Sequence, residues 1–241
     1  MLERKLLPRR NAVLADRCGC GSALAWNLFP GRSDTMDLSL APMADGVQED
    51  AVRRSIVHTA LRVGEQAGSW DRVHVHVVAR ELGMSLEDLR RYFGDKDAIA
   101  EGFFDIADAA LLACSKQPGW AELPTRERLF RAIMAWIEAL AAHKRLVPGM
   151  LGYKMHPEHV HLQVRGIARI SRTAQWIRET AMLRSTGLRR EIEEAVITTI
   201  YLTTFSRWLA DSSRGGESTR RLLKRLLAAA ERGALRLGFP G

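Results

Sequence analysis

From Glu49 to Ala67 apolar side chains return at Val52, Ile56, Val57, Ala60, Leu61 and Val63, the spacing of one helix face. Gly68-Ser69 ends that helix, and Trp70 just beyond it is expected to anchor the core. Val73 to Val78 alternates valine with His74 and His76, which reads locally as a strand. A lone strand among helices has no partner to pair with, so this segment is expected to be helical. Gly83 marks a turn, and Ser85 followed by Asp88 opens a second short helix in the manner of a capping box. The hydroxyl accepts from an orphan N–H, and the carboxylate suits the positive end of the helix. Leu86, Leu89 and Phe93 fall at helical spacing and are expected to face the core, leaving Glu87, Arg90 and Arg91 outward. Asp95-Lys96 then starts a longer helix that carries Ile99, Phe103, Phe104, Ile106, Ala107, Ala110 and Leu111 to Cys114.

Further on, Pro118-Gly119 breaks the chain and Pro124-Thr125 opens a helix over Arg126 to Ala142. Pro148 to Pro157 reads as a second break. Helices are expected from about Glu158 to Ser185, Leu188 to Asp211 and Glu217 to Leu237. Residues 1–48 have no sustained period. They read as a disordered arm, or as translated sequence upstream of a true start near Met36 or Met43. The fold class is therefore all-α, with a three-helix head at 49–95 and a helical-bundle body at 96–237.

Composition changes this picture little. The 241 residues suffice for a proper core, and no apolar run approaches the roughly 18–20 residues of a membrane span. Cys18, Cys20 and Cys114 make no disulfide framework, which fits a reducing cytoplasm. The net charge of +8 matters more once it is divided along the chain. Residues 49–104 hold eight basic and ten acidic side chains, whereas residues 105–241 hold twenty-two and thirteen. The basicity thus lies mostly outside the head.

A short helix, a glycine turn and a second capped helix form the plan of a helix-turn-helix DNA reader. On that reading Ser85, Arg90, Arg91, Tyr92 and Lys96 contact DNA, with arginine suited to guanine edges and phosphates. The bland alternative is a solvated face with Glu87 and Arg91 paired one turn apart. His156, His159 and His161 lack the spacing of a zinc site. No residue pattern supports catalysis, a metal or a cofactor, and an enzyme is not expected.

The run from Ile56 to Ile99 resembles the N-terminal domain of the tetracycline-repressor (TetR) family. The resemblance rests on Ala60, Val78, Ala79, Gly83, Met84, Ser85, Leu89, Phe93, Lys96 and Ile99 in one register. It implies an all-helical homodimer with a DNA-binding head and a body that binds a small apolar or amphipathic ligand. Three positions depart from the family pattern: Glu87-Asp88 replaces a pair of small residues, and Arg90 stands where tyrosine is usual. Two carboxylates at a phosphate-facing helix start are unfavourable for DNA.

A second stretch, Ile197 to Ser213, resembles the late body helix of a proteobacterial TetR-like group. More distantly it is similar to the lipid-binding proteins of ubiquinone biosynthesis, which share the fold without binding DNA. Tyr201, Phe205 and Trp208 could line a ligand pocket there, or simply belong to the core and dimer interface. The resemblance implies a ligand-responsive transcriptional regulator, most often a repressor, acting as a dimer on palindromic double-stranded DNA. The alternative is a lipid-binding accessory protein of isoprenoid-quinone biosynthesis. Its basic last helix, with Leu222, Leu223, Leu226 and Leu227 flanked by Arg220, Arg221, Lys224 and Arg225, would then lie on a membrane surface.

Overall fold

The computed structural model describes residues 41–154, 160–236 and 238. Residues 1–40, with Cys18 and Cys20, lie outside the described residues, as do His156 and His159; of His161 only the backbone is described. Among the described residues there are nine α-helices and no strand. They are α1 (Ala41–Ala67), α2 (Val75–Glu81), α3 (Leu86–Tyr92), α4 (Lys96–Ala113) and α5 (Thr125–Leu140). Then follow α6 (Val147–Lys154), α7 (Val160–Thr180), α8 (Gly187–Leu209) and α9 (Glu217–Arg236). The first helix begins at Ala41, ahead of Glu49.

Of the valine-histidine alternation, Val75 to Val78 is helical as expected, with Val78 and Ala79 buried on one side of α2 and His76 exposed. Val73 and His74 are extended and lead into the helix. Trp70 is buried in a short 3-10 turn between α1 and α2. The stretch expected to break at Pro148 instead enters α6. Pro148 stands in its first turn, where a missing N–H forfeits no intrahelical bond.

One apolar core runs from Ile56 in α1 to Leu227 in α9. Its spine is α4, which packs on α5 and α7 and buries Phe103, Phe104 and Leu111. Contact between the first helices and this spine is close. A Cβ added at Gly102 would stand 2.9 Å from Val57 Cγ2 and 3.1 Å from the Phe93 ring. One at Gly149 in α6 would stand 3.1 Å from the Trp70 Cβ.

The helix expected to reach Ser185 stops at Thr180 for a local reason. Met182 takes a left-handed conformation with φ of 59°. The Leu183 N–H then bonds back to the Arg178 carbonyl and the Met182 N–H to that of Glu179, a Schellman closure. Two further carbonyls at this end are met from outside the helix. Trp120 Nε1 donates to Thr180 at 2.8 Å, and Arg128 Nε to Ala181 at 2.9 Å.

Candidate nucleic-acid interface

The turn between α2 and α3 is made by Gly83 at φ 65°, a region that side chains with a Cβ rarely adopt. Ser85 caps α3: its Oγ accepts from the Asp88 N–H at 3.0 Å and donates to the Asp88 carboxylate at 2.7 Å. Asp95 caps α4 through the Ala98 N–H at 2.7 Å. Leu89 and Phe93 turn inward and are buried, which fixes the roll of α3 on α1 and α4. Leu86 does not follow them. It stands at the first turn, ahead of the Leu89–Phe93 contact, and is 54% exposed, contrary to its expected place in the core.

Of the five residues expected to meet DNA, Ser85, Arg90 and Arg91 lie exposed along α3 and its cap. Arg91 sits 3.6 Å from the Glu87 carboxylate and 3.8 Å from that of Asp88. Tyr92 is half-buried against the core, and its carbonyl accepts from Arg53 Nη1 at 2.8 Å. The Arg53 guanidinium also lies 4.6 Å over the Phe93 ring, so it ties the end of α3 to α1. Sequence reasoning missed this residue, although a basic side chain near the last carbonyls of a helix is a known capping solution. Lys96 reaches away from α3: its Nζ donates to the Asp71 carbonyl at 3.1 Å and lies 5.6 Å over the Trp70 ring. Burial lowers the Lys96 pKa below the usual lysine value, opposed by the Asp71 charge.

The three residues expected at a ligand pocket come together in the body, each buried. Tyr201 and Phe205 meet Trp136 edge-on at 5.0 and 5.4 Å, and Phe205 stacks on Trp208 at 5.8 Å. Burial pushes the Tyr201 hydroxyl above the usual phenol range, and the nearby Asp108 charge adds to this. Beside them lies an ionic network that the sequence did not reveal. Arg169 of α7 donates to Glu101 at 2.9 Å, Asp105 at 2.7 Å and Asp108 at 2.8 Å, all on α4. Asp108 also accepts from Trp136 Nε1 at 2.7 Å and from the Thr173 hydroxyl at 3.1 Å. Burial raises the Asp108 pKa, while Arg169 and these donors pull it down.

An open cleft of about 240 Å³ lies between α1 and α4, floored by Val57, Phe93 and Ile106. None of Tyr201, Phe205 or Trp208 lines it. Among the described residues no group of His, Cys, Asp and Glu is placed to hold a metal ion. None of the helices in that range is long and apolar enough to cross a membrane.

No protein-family model matches the chain, and no curated protein matches it. Among solved structures it is similar to the TetR transcriptional regulator from Nitrosomonas europaea ATCC 19718, with a TM-score of 0.67 and 36% sequence identity. The match covers 75% of this chain and 98% of that one. Identity at that level, over nearly the whole of the other protein, extends the likeness beyond the arrangement of helices. The chain belongs to the TetR family of transcriptional regulators.

Proposed function

We propose that this protein is a ligand-responsive, DNA-binding repressor acting as a homodimer on a palindromic operator in the cytoplasm. Residues 49–95 are the DNA-binding head and residues 96–237 the ligand-binding and dimerisation body. The observation that carries the reading is the capped, outward-facing α3 with Arg90 and Arg91 exposed, on a chain of this family. A helix so placed enters a major groove, and two of them in a dimer meet half-sites about 34–36 Å apart.

Leu188, Ile192 and Val196 support the dimer, since they leave exposed apolar side chains at four-residue spacing along α8. The aromatic group of Tyr201, Phe205 and Trp208 is the wall against which an apolar ligand would rest. Ligand entry there would disturb Asp108 and Arg169, and hence α4, the helix on which the head sits. The lipid-binding alternative is weaker, because Leu223 and Leu227 of the basic helix are already buried in the bundle.

The test is a gel shift with duplex DNA from upstream of the gene itself. The parent chain is expected to bind with affinity that falls steeply with salt. The double variant Arg90→Ala/Arg91→Ala is expected to lose the shift with unchanged helical content. Binding by the double variant equal to the parent's would remove α3 as the reading element.

A further inference from the structure

The outward face of α3 carries more than its arginines, and its first turn is the part an operator meets first. The N-terminal residues of a recognition helix are those that reach base edges. Here they are Leu86, 54% exposed, and Glu87, whose side chain is 83% exposed. Asp88 is committed elsewhere, since its carboxylate accepts the Ser85 hydroxyl and its N–H bonds to the same oxygen. Among the described residues Glu87 is held by Arg91 alone, at 3.6 Å, a solvent-exposed ion pair longer than a hydrogen bond.

We propose that Leu86 and Glu87 determine operator specificity, Leu86 by packing on a thymine 5-methyl group and Glu87 by accepting from a cytosine 4-amino group. This rests on the DNA-binding reading above. The chemistry selects these partners. An ionised carboxylate only accepts hydrogen bonds, so guanine O6 and N7, thymine O4 and the phosphates all repel it. Two major-groove edges offer a donor, adenine N6 and cytosine N4. Adenine sets the N7 acceptor beside its amino group, against the second carboxylate oxygen, whereas cytosine presents the donor without that neighbour. An exposed leucine finds in the groove one apolar partner, the thymine methyl. Giving up a surface ion pair costs about twofold in affinity. A mismatched base pair in a specific site costs about 5- to 150-fold, so the exchange favours reading. Arg91, one turn from Glu87, shields the carboxylate from the phosphates while Arg90 stays on the outer face. Of the acidic pair, Glu87 is therefore a selector of sequence and Asp88 part of the α3 cap.

The experiment is enrichment of duplexes from a randomised library by the full-length chain, Glu87→Gln and Leu86→Ala, each checked for folding by thermal melting. The parent is expected to enrich a motif with cytosine fixed at one position and thymine close by. Glu87→Gln should change that cytosine to adenine, which glutamine pairs with in bidentate fashion, and leave the other positions alone. Leu86→Ala should relax only the thymine. Exchanging the cytosine for thymine in the operator should weaken the parent by about 5- to 150-fold and Glu87→Gln hardly at all. A Glu87→Gln motif that keeps its cytosine overturns the assignment while leaving DNA binding intact. Failure of the parent to enrich any motif overturns the DNA-binding reading itself, and this inference with it.

Discussion

The surface of α3 and the seam between α4 and α7 put their charges in opposite places. In α3 the ionic groups stand on the surface, joined by pairs of 3.6 and 3.8 Å that solvent screens. Between α4 and α7 Arg169 and Asp108 are paired inside the protein; Arg169 bridges three carboxylates of one helix, and Asp108 also takes the Trp136 and Thr173 donors. A weak, exposed pair can be traded for a base at small cost. A buried one cannot be undone without leaving a charge stranded. Binding specificity and structural stability are thus assigned to separate charges on the two sides of α4.

The largest expected effect tests that assignment in the body. Removing the cation by Arg169→Ala takes the charge partner from Asp108 inside the protein, at a cost of about 3–5 kcal/mol. Urea unfolding followed by tryptophan fluorescence reads it. Asp105→Ala, which removes the 61% exposed member of the set, is expected to cost less than about 1 kcal/mol. Equal, small losses in both variants would erase the contrast between buried and exposed charge.

Much of the head was legible because its signals are local. The apolar period of α1, the Gly83 turn and the Ser85 and Asp95 caps all act within a few residues. Leu86 was misplaced because a seven-residue helix makes only two turns, too few for spacing alone to say which flank a neighbour covers. Pro148 was misread because a proline that breaks a helix interior is welcome in a first turn. Tyr201, Phe205 and Trp208 could be seen to share a face, but not that Trp136 meets two of them edge-on. The Arg169 network was invisible for the same reason: Glu101, Asp105 and Asp108 form a legible stripe, and their cation is more than sixty residues away.

The seam between the two regions gives the second test. Gly102 brings α4 against Val57 and Phe93, and an added methyl at 2.9 Å from a stiff valine requires α1 or α4 to move. Gly102→Ala is expected to cost about 1–3 kcal/mol. It should also weaken DNA binding beyond that of Asp105→Ala, because Phe93 is the buried end of α3. A variant with lowered stability and unchanged operator affinity would show that α3 keeps its place independently of α4.

The smallest expected effect compares two helix caps, one in each region. Ser85 caps α3 in solvent, and its loss in Ser85→Ala is expected to cost about 0.5–1 kcal/mol. Asp211 does the same for α9 from a buried position: it accepts from the Thr219 N–H at 2.8 Å, the Thr219 hydroxyl at 2.6 Å and the Ser213 N–H at 2.9 Å. Asp211→Ala should therefore cost more, about 1–2 kcal/mol. The two differ further in pH dependence. Hydrogen bonds from Ser213 and Thr219 hold the Asp211 carboxyl below the usual carboxylate range. A depressed folded-state pKa stabilises the protein above the unfolded value, about 3.9, and that contribution is lost as pH falls through the folded value. The gap between parent and Asp211→Ala should thus be full near neutrality and shrink once the pH drops below about 4. Melting temperatures taken across that range decide it. A gap that stays constant with pH would mean that Asp211 holds α9 by shape and not by its charge, and that the body's caps are no different in kind from the head's.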